Sequence, residues 1–542
     1  MRTGAICGYL ENALNELNQG KCQWGELFYT YAEICSSQYE QPEFNDEMKH
    51  AQEIFLKKDI EVQALKASYL RNTDDIELKR RFYIANKMRN SDSQELSRLQ
   101  QRSRNYLETA IRMYLECLKI CDDFDDCIFR LCALWLSKYD QTLDSYCYTK
   151  FRDVASHKFI RIFNQLSSRL DIQQGLFQEV LVQLLTRVVA EHPFHTIYAV
   201  FAIQNMTSSS NAAYDTSPVN RSRSQAAKFL LDGFSQINSS MASLRSRVER
   251  LVKSYIDLGV IKPNTQGQSI KLPENKHRVL FKDLPRWKFP NPTSKIPISI
   301  TKNYAQMPII QNIDPNVKVA SGNSKPLVFK VLDSDGIWHR QIVKNGDDLR
   351  QDSVMEQVFD EVNIVLQRRR ETRYRSLTIK TYVVVPLYPR GGLIQWVDNT
   401  TALKEYLNSR HHKYYKHDLK FIKCHELVGN AQGAQRIKAF KNVLENFHPV
   451  MNHLFLEDYT DPEVWFSTRV RYARSLAIIS IVGEIIGLGD RHGFNILFDQ
   501  QTGEVVNIDL GIAFEKVACV QMYWLDSTRA KRCLYPRWSR SD

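Results

Sequence analysis

Residues 481–516 read IVGEIIGLGDRHGFNILFDQQTGEVVNIDLGIAFEK, and the rest of the chain takes its meaning from them. An apolar helix ends at Ile485 and Ile486, Gly487 and Gly489 close it, and the loop beyond carries Asp490, Arg491, His492 and Asn495. A hairpin follows: 496–498 as one strand, 500–503 as the turn and 505–508 as the return strand, which ends at Asp509. This carries the Asp509 carboxylate back beside the Asn495 amide. Two oxygen ligands at one place suit a hard cation such as Mg²⁺, with Mn²⁺ as the alternative, completed by phosphate oxygens. Asp490 and His492 are placed to orient a hydroxyl and steady a transferring phosphoryl group, a reaction that depends on positioning and charge neutralisation. The set asks for a nucleoside triphosphate, ATP.

The order D-R-H-x-x-N followed by I-D-L-G resembles the catalytic loop and metal-binding aspartate of the phosphatidylinositol 3-kinase-like kinases. It reverses the H-R-D order of ordinary protein kinases. The resemblance implies a two-lobed α+β kinase domain of the PI3K/PI4K type, with Asp490 and His492 catalytic and Asn495 and Asp509 on the metal.

Upstream, residues 317–320, 327–332, 338–343 and 377–385 read as strands of a small antiparallel sheet. Ser321, Gly322, Asn323 and Ser324 join two of them, and alone they read as an ordinary hairpin turn. Within the resemblance they match the phosphate-covering loop, with Lys325 adding charge. Lys344 and the following NGDDLRQD resemble the K-G-x-x-D-L-R-Q-D signature, with Asn345 where the family usually has glycine. The expectation is that Lys344 meets the ATP phosphates and Asp352 holds its ammonium. GGLIQWVDNT would be the hinge between lobes: the backbone of Gln395 and Val397 bonds adenine, and Trp396 packs on its ring or belongs to the core.

Residues 8–205 follow a helical period; at 106–120, Leu107, Ala110, Ile111, Tyr114, Leu115 and Leu118 share one face. No fixed repeat length emerges, so the reading is an all-α irregular solenoid. CIFRLCALWL (127–136) and VVAEHPFHTIYAVFAIQN (188–205) resemble the FAT segment of the ATM kinases, a branch of the same family. Single helices are expected at 225–258, 444–456, 462–468 and 470–487, and the proline-bearing stretch 262–299 reads as a connector without a core.

The expected organisation is multidomain: a FAT-like solenoid at 1–205, a helical and proline-rich connector at 206–300, the kinase N-lobe at 301–400, a C-lobe carrying the catalytic loop at 401–516, and an unmatched tail at 517–542. Because the match stops near Lys516, the C-lobe is expected to be truncated and the chain a poor kinase alone.

With 542 residues and 43% hydrophobic residues, the chain has material for several cores. No apolar run is long enough to span a membrane, and the eleven cysteines read as free thiols of an intracellular protein. A net charge of +12 permits an acidic partner without demanding direct DNA contact. By resemblance the chain would phosphorylate serine or threonine followed by glutamine in DNA-damage checkpoint signalling, DNA repair and telomere maintenance. It would be nuclear, recruited by a DNA-end sensor complex, and dimeric in the full-length family member. The alternatives are an inert nucleotide-binding scaffold and a phosphoinositide lipid kinase.

Overall fold

The computed structural model describes residues 21–72, 74–137, 141–173, 175–207, 217–261, 269–320 and 325–514. The anticipated phosphate-covering loop at Ser321, Gly322, Asn323 and Ser324, most of the serine-rich stretch after Met206, and the tail lie outside them. The chain divides into two compact units, the first reaching Thr196 and taking in 228–234 and 298–302, the second holding the remainder.

The first unit is helical. Helices α1 (Lys21–Glu40), α2 (Pro42–Arg71), α3 (Ile76–Ile120), α4 (Cys127–Ser137), α5 (Gln141–Lys150) and α6 (Leu176–Glu191) follow in order. On α3 the stripe read from the sequence is buried from Leu107 through Leu118. It packs there because residues three and four apart share a helix face. The carbonyls left over at the end of α3 are met by a buried lysine: Lys158 donates to Leu118 O and Cys121 O, each at 2.8 Å, and pairs with Asp122 (2.7 Å) and Asp125 (2.8 Å). Cys117, Cys121, Cys127 and Cys132 are buried free thiols.

In the second unit, most of α7 (Pro193–Gln204), most of α8 (Pro218–Gln236) and all of α9 (Ser239–Gly259) precede the sheet. The single helix expected at 225–258 is two, because Asn238 leaves helical geometry and its side chain caps α9 by accepting the Met241 N–H at 2.9 Å. The supposed connector is also corrected: Leu272, Leu280 and Leu284 are buried, and β1 (Ser269–Lys271) lies within that stretch and joins the sheet.

The main sheet adds β2 (Ile310–Ile313), β3 (Asn316–Val319), β4 (Leu327–Asp333), β5 (Trp338–Asn345), β6 (Val384–Tyr388) and β7 (Gly391–Gln395). Its order is β1-β3-β4-β5-β7-β6, with β2 on β4, all antiparallel. The β6–β7 turn needs glycine: a Cβ on Gly392 would lie 2.2 Å from Val385 O, and one on Gly391 2.4 Å from Lys344 O. The strand expected from 377 begins only at Val384. Side chains of α10 (Arg350–Arg368) take the earlier backbone groups instead: Asn363 both accepts the Ile379 N–H and donates to Ile379 O, and Glu356 accepts the Tyr382 N–H.

Beyond β8 (Thr400–Ala402) come α11 (Leu403–Tyr414), α12 (Phe421–Gly429), α13 (Gly433–Asn446), α14 (Met451–Asp458) and α15 (Pro462–Ile485). The helix expected at 444–456 is broken between Asn446 and Met451 because Pro449 has no N–H to continue it, while Asp418 accepts the N–H of His448 at 2.7 Å. The two expected at 462–487 are one continuous helix, capped by Asp461 on the N–H groups of Glu463 and Val464 (3.0 and 2.9 Å). The hairpin pairs β9 (Ile496–Asp499) with β10 (Val505–Asn507), and β8 adds a third strand beside β9. Met355 and Phe359 of α10 share a core with Ile479 of α15, Ile486, Leu510 and Ala513, which brings the two halves of the site together.

Candidate active site

The loop after α15 starts in left-handed backbone, with Gly487 at φ +63°, and the same region recurs where it is costly, at Asp490 (φ +55°) and Asp509 (φ +58°). A non-glycine residue there costs about 1–2 kcal/mol, so something must hold both. Arg491 does. Its guanidinium donates to Gly489 O (2.7 Å), Asn495 O (3.3 Å), Ile508 O (2.8 Å) and Asp509 O (2.5 Å), tying the loop to the strand end that carries Asp509. The Ile508 N–H donates in turn to Asn495 O at 3.0 Å.

The structure thus brings Asp490, Asn495 and Asp509 together. Asn495 is buried, and its amide NH₂ is spent on Asp490, donating to Asp490 O at 3.1 Å and facing Asp490 Oδ2 at 3.4 Å. That leaves Asn495 Oδ1 as an acceptor, and the exposed Asp509 carboxylate stands on the segment whose backbone Arg491 ties to that of Asn495, so the two offer the hard oxygens that suit Mg²⁺ or Mn²⁺. His492 is exposed, and its Nδ1 accepts the Phe494 N–H at 3.2 Å, so a neutral ring carries its proton on Nε2, free to donate. Among the described residues, the acidic-histidine group close-knit enough for a metal is a different one, Asp122, Asp125 and His157, and there the Lys158 ammonium already sits on both carboxylates.

Lys344 ends β5 half-buried. Its ammonium pairs with Asp347 at 2.8 Å, not with Asp352 as the sequence suggests. Burial pulls its pKa down, but Asp347, Asp509 and Asp352 outweigh that and leave it raised, so the lysine is firmly cationic. Asp352 lies in the first turn of α10, where its carboxylate accepts the Leu510 N–H at 2.9 Å, directly after Asp509. It therefore positions the Asp509 segment and bears on Lys344 only through space; burial raises its own pKa. Asn345 bridges Gly259 O (3.0 Å) and the Tyr388 hydroxyl (2.7 Å), which ties the end of β5 to α9 and β6.

At the hinge the Gln395 backbone N–H is donated to Val383 O at 2.8 Å and its side-chain oxygen accepts the Val383 N–H at 3.0 Å, so a backbone contact from Gln395 to adenine falls to its carbonyl. Val397 lines the core patch of Leu349, Tyr382, Val384 and Val506. Trp396 is half-buried under the Arg340 guanidinium, 5.0 Å from its ring centroid, and takes no part in that patch. Lys325 stands at φ +44° just after the undescribed loop.

Sequence reading missed Arg491 as the organiser, although it lies in the quoted loop, and it missed Glu356. The available signal for Glu356 was a carboxylate one turn beyond Asp352 on the apolar face of Met355 and Phe359. Burial pushes its pKa up to about 8. The folded state therefore keeps a proton that the unfolded chain releases near pH 4.5, so this group's contribution is full below that value and is lost as pH rises toward 8. Glu356→Gln, which still accepts the Tyr382 N–H, is expected to match the unsubstituted chain near pH 5. By pH 8 it should be more stable by a few kcal/mol, since each tenfold change in proton affinity is worth about 1.4 kcal/mol. Melting temperatures across pH 5–8 check this; parallel curves would show that Glu356 is ionised in the fold.

The phosphatidylinositol 3- and 4-kinase family matches residues 338–521, five residues past the expected limit of the resemblance. The serine/threonine-protein kinase TEL1 of Gibberella zeae is 37% identical over 525 residues, covering 94% of this chain and 18% of that protein. The serine-protein kinase ATM of Sus scrofa is 32% identical over 532 residues, covering 93% and 17%. The chain thus spans less than a fifth of the length of these relatives. Among solved structures, the FAT and kinase domain of CtTel1 superposes with a TM-score of 0.85 at 35% identity, covering 95% of this chain and 35% of that one. A complete CtTel1 dimer with C2 symmetry gives 0.85 and 35%, covering 95% and 19%.

Proposed function

We propose that the chain transfers the γ-phosphate of ATP to serine or threonine hydroxyls of proteins, a reading supported by the match of residues 338–521 to the phosphatidylinositol 3- and 4-kinase family and by the similarity to the TEL1 and ATM serine/threonine kinases. The observation that carries this reading is the gathering of Asn495, Asp509 and Asp490 by Arg491, with Lys344 in the same electrostatic neighbourhood. Lys344 gives a point charge to the phosphates once they displace Asp347 from its ammonium. Asn495 Oδ1 and Asp509 would hold the divalent cation, which supplies charge neutralisation on the phosphate oxygens. Asp490, exposed beside them, accepts the hydroxyl proton, and His492 Nε2–H steadies the moving phosphoryl oxygens.

A preference for serine or threonine followed by glutamine, and work in DNA-damage signalling, repair and telomere maintenance, rest on the kinship with TEL1 and ATM. So do a nuclear location and recruitment by a DNA-end sensor complex. Dimerisation of the full-length protein is supported by the likeness to the CtTel1 dimer. The test of the chemistry is Asp490→Asn. It is expected to keep the thermal shift given by ATP with Mg²⁺ and to lose about 10³-fold or more of the phosphorylation of a Ser-Gln peptide. Undiminished turnover would remove Asp490 from its role. Nucleotide binding without turnover in the unsubstituted chain would favour the scaffold reading.

A further inference from the structure

Lys404 stands at the start of α11, outside the residues that meet ATP, yet it is joined to the catalytic loop twice. Its backbone N–H donates to Gly493 O at 2.9 Å, and the two segments approach so closely that a Cβ on Gly493 would lie 2.9 Å from Lys404 Cβ. Its ammonium then lies between two rings, 4.1 Å from the centroid of Phe421 and 4.6 Å from that of Phe494. Among the described residues it has no carboxylate partner. A lysine loses rotamer freedom when it is held, so what holds this one is the attraction of a cation to two aromatic faces.

The two rings belong to segments that nothing else here joins so directly. Phe494 is part of the catalytic loop: its N–H donates to His492 Nδ1, and its ring meets the His492 ring edge-on, with centroids 6.2 Å apart at 84°. Phe494 is 44% exposed, and among the described residues its ring contacts with a cation and with another ring are those with Lys404 and His492. Phe421 is the first residue of α12, at the foot of the α12–α13 hairpin. That foot is closed by the Leu419 N–H on Asn446 O at 3.0 Å, while Ile422, Ile437 and Leu444 on the hairpin face solvent.

We propose that Lys404 is a positioning residue: its cation, clamped between Phe421 and Phe494, fixes the ring against which His492 is set and couples the α12–α13 hairpin to the catalytic loop. The proposal deepens the kinase reading and rests on it for the role of His492. Its physical core, a charge-dependent clamp, does not need turnover to be seen.

The test compares Lys404→Arg, Lys404→Met and Phe421→Leu in the 542-residue chain by hydrogen exchange of the peptide spanning 489–496 and by steady-state kinetics. Methionine fills similar space without the charge, whereas arginine keeps it. Exchange in that peptide, which includes the Phe494 and Asn495 amides bonded to His492, is expected to quicken severalfold in Lys404→Met and Phe421→Leu and to stay unchanged in Lys404→Arg. With a Ser-Gln peptide, kcat should fall about three- to tenfold in the first two variants with the KM for ATP unchanged. Exchange in Lys404→Met equal to that of the unsubstituted chain would show that only packing matters and would overturn the proposal. Should Lys404→Met fail to fold, unchanged exchange in Phe421→Leu would overturn it equally. An unsubstituted chain without turnover would count against the kinase reading and leave the exchange result to decide the clamp.

Discussion

Asp509→Ala is expected to abolish the Mg²⁺-dependent part of the thermal stabilisation that ATP confers, and to reduce phosphoryl transfer by at least about 10³-fold. Among the described residues the carboxylate makes no hydrogen bond that its loss would orphan; its backbone, held by Arg491, is what the fold uses. The substitution therefore removes the proposed cation ligand with little structural cost apart from the left-handed backbone at that position. Lys344→Met should behave differently. It deletes a phosphate contact and leaves Asp347 half-exposed in water, so the ATP shift should shrink by a similar amount with and without Mg²⁺. A ligand present at a hundred times its Kd stabilises by about 2.7 kcal/mol, which a melting scan resolves. Equal shifts in the unsubstituted chain and both variants, at any Mg²⁺ concentration, would sink the assignment of the site.

Arg491→Lys should be nearly as damaging although the charge is conserved. Four carbonyls, on Gly489, Asn495, Ile508 and Asp509, converge on one planar guanidinium, and a lysine ammonium has three donors on a single nitrogen and cannot span them. Carbonyls left without partners cost on the order of 1–3 kcal/mol each when buried, less here because the arginine is only half-buried, so a net loss of about 2–4 kcal/mol is expected. Asp490 and Asp509 would then relax from their left-handed backbone, and a displacement of about 1 Å at the reacting groups is worth roughly 10² in rate. Chemical denaturation and peptide turnover together check this. A variant as stable and as active as the original would show that the loop holds its shape without the fork.

What the sequence determined by itself was the identity and order of the candidate reacting groups. Glycine after an apolar helix, then D-R-H-x-x-N, a turn and I-D-L-G, can be read because each feature depends on local backbone geometry or on residues a few positions apart. The same holds for the helical stripe from Leu107 to Leu118. Local signals also misled: Asn238 split one expected helix and Pro449 another, while 462–485 ran unbroken because no residue in it interrupts the helical bonds.

Tertiary structure alone decided which partners each polar group takes. Asp352 and Leu510 are 158 residues apart, and only the packing of α10 on the segment after β10 lets the N–H of one reach the carboxylate of the other. Lys344 was expected to bind that same carboxylate, and the nearer Asp347 took it instead. Gln395 gave its N–H to Val383 O, just ahead of β6, a choice fixed by how the chain packs beside β7 and invisible in composition. Hydrogen bonds and ion pairs act over about 3 Å, a distance that sequence separation does not measure. The residues proposed to do the chemistry could be picked out along the chain, and the residues that hold them still became visible only once it was folded.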